Sequence, residues 1–112
     1  MNRLLRLLPV LALAGCAAAY SAPSSNEIVQ LRNQRDACLM RNAVALDDGR
    51  SDPRAIATSV VGYCQPENNQ IIAAIAGPDD FRRSEITRQV QQDSLQAATN
   101  YVLSHRAARA RS

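Results

Sequence analysis

Residues 38–64 read CLMRNAVALDDGRSDPRAIATSVVGYC, two apolar helical patterns joined by a polar turn and closed at each end by a cysteine. Before the turn, Cys38, Leu39 and Leu46 continue a stripe begun by Ile28 and Leu31, with Val29, Met40 and Val44 widening it. Gly49, after Asp47 and Asp48, offers the left-handed conformation with which helices commonly end. A second helix follows at once. Asp52 serves as its N-cap and Pro53 takes the first helical position, where a missing N–H costs nothing. Ile56, Val60, Tyr63 and Cys64 then stand at i, i+4, i+7 and i+8, which puts the cysteine on the buried stripe. Cys38 lies about nine residues before the turn and Cys64 about twelve after it, ~14 Å against ~18 Å of helix. In an antiparallel hairpin the two are level within one helical turn, so a disulfide is feasible, with two buried free thiols as the alternative.

Working outward, Ser24 and Glu27 form a capping box, which sets the hairpin helices at about Ser25–Asp48 and Pro53–Cys64. Pro66 marks a break, and a short third helix carrying Ile71, Ile72 and Ile75 ends at Gly77-Pro78. From about Asp79 one long helix runs to the late 100s, acidic at its start and rich in Arg at its end, as the helix dipole favours. Its stripe of Ile86, Val90, Ala97, Tyr101 and Val102 is thin. No segment alternates as a strand does. The expected fold is all-α over residues 24–105: a disulfide-stapled helical hairpin packed with a short helix and a long C-terminal one. The long helix, at about 28 residues and ~40 Å, outreaches the hairpin helices and leaves a part for a partner or a second copy. Leu95 and Leu103, partly off its stripe among Gln89, Gln91, Gln92 and Gln96, are the candidate partner surface; plain solvated surface is the competing explanation.

The N-terminal segment has a different character. Arg3 and Arg6 precede a short run, Leu7 to Ala14, of Leu, Pro, Val and Ala only. That is the pattern of a secretory signal, too short for the ~20 apolar residues of a membrane span. Leu13-Ala14-Gly15-Cys16 matches at every position the lipobox of bacterial lipoproteins, and the segment resembles their signal peptides. The resemblance implies that residues 1–15 are removed, that Cys16 is lipidated and that residues 16–23 form a linker. Ala17 stands where the family's inner-membrane retention signal has Asp, which implies the outer membrane, on its periplasmic side. The alternative is a soluble periplasmic protein cut after Ala17-Ala18-Ala19, an A-x-A-like site. A lipidated Cys16 leaves two cysteines of three, and an exported pair is expected to be oxidised to a Cys38–Cys64 disulfide. The Cys38–Cys64 stretch is also similar to small exported helical proteins of proteobacteria with a cysteine pair around an LDDG-SD turn, a likeness that supports the fold and assigns no activity.

Charge and composition restrict the function. The thirteen basic residues are all Arg. Without Arg3 and Arg6, eleven face ten acids, and three of the eleven, Arg106, Arg109 and Arg111, fall in the last seven residues. A near-neutral exported body argues against nucleic acid as a partner. Residues 106–112 are expected to form a basic flexible tail, whose Arg forks suit the phosphates and carboxylates of an anionic surface. The LDDGRSD turn (Leu46–Asp52) lacks the twelve-residue loop ending in Glu that a calcium hand needs, so capping explains its carboxylates better than metal. His105 is the single histidine, which leaves no material for a catalytic triad or a His/Cys zinc site, and no cofactor is expected. With no Trp, one Phe and three Tyr there is no aromatic platform for sugars or bases. Glu67, Glu85 and Asp93 are not distinguished from solvated helix faces. No enzyme is expected. The leading expectation is a non-catalytic envelope accessory lipoprotein that binds an envelope protein or a second copy. A periplasmic immunity or inhibitor protein and an acid-stress chaperone are the alternatives.

Overall fold

Residues 21–112 are described by a computed structural model, and among them the chain forms four helices: α1 (Ser25–Leu46), α2 (Pro53–Tyr63), α3 (Gln65–Ala76) and α4 (Asp80–Ala110). The all-α expectation holds, and α1, α2 and α4 each start where the sequence supplies a cap, whereas α3 follows Cys64 with no side-chain cap. The Ser24 hydroxyl accepts from the Glu27 N–H, Asp52 accepts from the N–H groups of Arg54 and Ala55, and Asp79 accepts from that of Arg82. α1 ends at Leu46 with Asp47 as its cap, two residues before the left-handed Gly49, which sits inside the turn instead. Gly77, also left-handed, ends α3 ahead of Pro78.

Only Cys64 separates α2 from α3. Pro66, in the first turn of α3, has no N–H to continue the α2 ladder, so the chain breaks once and runs on. With eleven and twelve residues, α2 and α3 laid end to end match the 22 of α1, and both pack against it. α4 has 31 residues and packs against all three other helices, α2 most extensively. The result is a bundle of three rods, the middle one broken. α4 is the longest helix, and α3, extending the line of α2, packs on part of the length that outreaches the hairpin, while the first turn of α4 and its end beyond Arg106 stay exposed.

Two apolar clusters fill the bundle. The larger joins Cys38, Leu39 and Ala43 of α1, Ala57, Val60, Val61 and Cys64, and Ala98 and Val102 of α4. The smaller holds Ile71, Ile72 and Val90, bordered by Leu31, Ile75 and Ile86. The buried seam of α4 is Val90, Ser94, Ala98 and Val102, at strict four-residue spacing. Ser94 and Ala98, both fully buried, let α4 sit close in the groove between the other rods. Ala97 and Tyr101, expected on that seam, flank it half-buried. Val29, Met40 and Val44 were expected to widen the core face of α1 and are half-exposed, while Ala43 and Arg35 take buried places. Tyr63 likewise points outward.

Candidate functional site

The hairpin is closed by a disulfide between Cys38 and Cys64, with Cα atoms 5.9 Å apart. Register explains it: mid-α1 faces the α2–α3 break, where the helix start turns Cys64 into the core. The side-chain amide of Asn42 donates to the Cys38 carbonyl at 2.9 Å and lies 3.4 and 3.6 Å from the two sulfurs. A Glu67 carboxylate oxygen lies within 4.8 Å of both, and Oε2 of Glu67 is buried with no hydrogen-bond partner. Among the described residues Cys38, Cys64 and Glu67 approach a metal-ligand arrangement, but the sulfurs are bonded to each other and the group is a staple.

A second polar cluster locks the far end of the bundle. The Asp47 side chain is shielded from solvent and accepts from Arg106 through Nε and Nη2, the latter at 2.8 Å. It also accepts from the Gly49 N–H at 2.9 Å and lies 3.4 Å from Nδ1 of His105. Nη2 of Arg106 reaches on to the Ser51 carbonyl at 2.6 Å, so one guanidinium ties the α1–α2 turn to the end of α4. The charge-assisted bonds from Arg106 hold the Asp47 carboxyl far below the usual carboxylate range, against its burial. Asp48 accepts from the hydroxyl and N–H of Ser51 and from the Arg50 N–H, which lower it to about 2. The carboxylates of the LDDGRSD turn are thus engaged by donors of the chain itself.

The basic flexible tail expected over 106–112 is corrected by the same contacts. α4 continues through Ala110, and Arg106 is committed to Asp47 and Ser51 and not offered to an anionic surface. Arg109 and Arg111 are exposed, with a guanidinium nitrogen of Arg109 over Gly49. Leu95 borders the larger core cluster and lines a shallow groove with Arg54, Gln92 and Thr99, whereas Leu103 is half-exposed. The two leucines therefore do not form one patch of equal standing. Cys16, its signal segment and most of the linker lie outside the described residues.

Three features went unseen in the sequence. The Asp47–Arg106 pair spans 59 positions and becomes visible only once α4 is known to run parallel to α1. The buried Ser94 hydroxyl donates to Asn68 at 2.7 Å, a polar link between two residues that a hydrophobic stripe passes over. Phe81, 86 % exposed, stands at the start of α4. His105 rests on Asp47, and the Ser51 hydroxyl donates to Asp48 and not toward the imidazole. Comparison with protein families, with curated proteins and with solved structures finds no match to this chain.

Proposed function

We propose that the chain is a non-catalytic accessory protein of the bacterial cell envelope, held on the periplasmic side of the outer membrane by lipid on Cys16. The observation that carries this reading is Leu13-Ala14-Gly15-Cys16, placed directly behind a short apolar run headed by Arg3 and Arg6. The cysteine count supports it. Of three cysteines, Cys38 and Cys64 are bonded to each other, which leaves Cys16 as the one free to be acylated. A disulfide also suits an exported chain in an oxidising compartment. No helix among the described residues is long and apolar enough to cross a membrane, and in this reading the acyl chains make the attachment.

An accessory role is supported by the apolar side chains that the fold leaves outside. Met40 and Val44 stand one helical turn apart on α1, both about half-exposed, and Leu103 is similar on α4. Metabolic labelling with palmitate tests the anchor. Label is expected in the wild type and absent from Cys16→Ser; equal label in both, or none in either, contradicts it.

A further inference from the structure

Ala22 and Pro23, just ahead of the α1 cap, share a shallow cleft with Ile28, with Ile75 near the end of α3, and with Arg82 of α4. The chain therefore enters the bundle at the end formed by the start of α1 and the α3–α4 turn. Six residue steps separate Cys16 from Ala22, a contour of about 20 Å at most. Whatever Cys16 carries stays that close to this end. The Asp47–Arg106 end lies a further ~33 Å away along α1.

On the near end stands Phe81, the most exposed of the large apolar side chains among the described residues. Local hydrogen bonds set its position. Asp79 caps the Arg82 N–H at 3.0 Å, and Arg83 donates to the Gly77 carbonyl at 3.0 Å, which fixes the α3–α4 turn. A ring held out into water gains nothing by that position, whereas at the headgroup–acyl boundary of a bilayer it is buried. Asp79 and Asp80 balance Arg82 and Arg83, so the attraction is apolar and not one of charge.

We propose that Phe81 inserts into the membrane that carries the Cys16 lipid, a second contact that holds the bundle upright with the Asp47–Arg106 end pointing away. The proposal rests on lipidation of Cys16. Because the chain has no Trp, Phe81→Trp makes a single emitter, and Leu103→Trp makes its counterpart at the far end. The full-length lipidated variants are placed in phosphatidylethanolamine vesicles with a minor share of phosphatidylglycerol and bromine near the headgroups. Mass spectrometry of the same samples verifies the lipid. The expected result is a blue shift and loss of emission for Trp at 81, neither for Trp at 103, and no change when phosphatidylglycerol is omitted. Lipidated protein with Trp at 81 unquenched overturns the insertion and leaves the anchor standing. Equal quenching at both positions overturns the upright orientation. Protein without lipid overturns the anchor, and the insertion with it.

Discussion

The two ends of this bundle are built from different materials. From mid-bundle to the far end, the disulfide joins α1 to the α2–α3 break, a nine-residue buried cluster joins α1, α2 and α4, and the Arg106 bonds tie the α1–α2 turn to α4. At the end where the linker enters, the buried cluster is three residues, Ile71, Ile72 and Val90, bordered by half-buried Leu31, Ile75 and Ile86. The link between them is polar, the Ser94–Asn68 hydrogen bond, and the Asn68 amide nitrogen is buried without a partner. Small helical domains bury too little surface to be uniformly stable. This one concentrates its constraints away from the linker, so the near end is the part that opens first.

Removing the staple tests that difference most severely. Cys38→Ala with Cys64→Ala frees a loop of 26 residues' separation, for which chain entropy gives a loss of about 3.5 kcal/mol. Urea denaturation of the 20–112 domain is expected to show it, and hydrogen-exchange protection at Leu39 and Val60 should fall to the level of Ile72. If those amides keep their lead without the disulfide, the staple is not what separates the ends.

Truncating one apolar side chain at each end comes next. Leu39→Ala, in the larger cluster with no exposed surface, is expected to cost about 3 kcal/mol. Ile75→Ala, only half-buried beside the smaller cluster, should cost about 1 kcal/mol. Equal losses by urea midpoint would erase the contrast.

Acid acts on the far end through Asp47 and Asp48. Both carboxyls are depressed in the fold, so the stability they add is present above the unfolded value near 4 and is lost as pH falls toward their folded values. Asp47→Asn is expected to destabilise by about 1.5–3 kcal/mol at pH 7, the range for hydrogen bonds to a charged group. The gap between wild type and variant should narrow as pH drops below about 4. A gap that is constant with pH would mean that the Asp47 charge is not what Arg106 reads.

The smallest effect separates the two leucines of α4. Leu103→Gln, at a half-exposed site, is expected within about 0.5 kcal/mol of wild type, while Leu95→Gln costs more because its side chain borders the core. Sedimentation of the 20–112 domain then tells whether Leu103 does more than face water. Self-association abolished by Leu103→Gln supports an interaction surface, and a strict monomer that also captures no envelope protein removes it.

Local chemistry made much of this fold legible. Ser24, Asp52 and Asp79 cap the helices that start beside them, and Gly77-Pro78 ends α3, because caps act over three or four residues and leave a mark in sequence. The cysteine pairing followed from counting residues to a turn. What failed was the choice among apolar positions. Ala43 and Ser94 are buried while Met40 and Val44 are not, since the geometry of a three-rod groove favours small side chains where a two-helix stripe favours large ones. The packing of α3 on α4 was hidden for a related reason: nothing local says that α3 continues the line of α2. Phe81 and the Asp47–Arg106 pair became visible only when distant segments were placed together.

The anchor is tested most directly by the intact mass and first residue of the protein recovered from envelope membranes. The predicted result is a chain that begins at Cys16, with a diacylglyceryl thioether on the sulfur and an acylated amino terminus. An unmodified chain that begins at Tyr20 would contradict it.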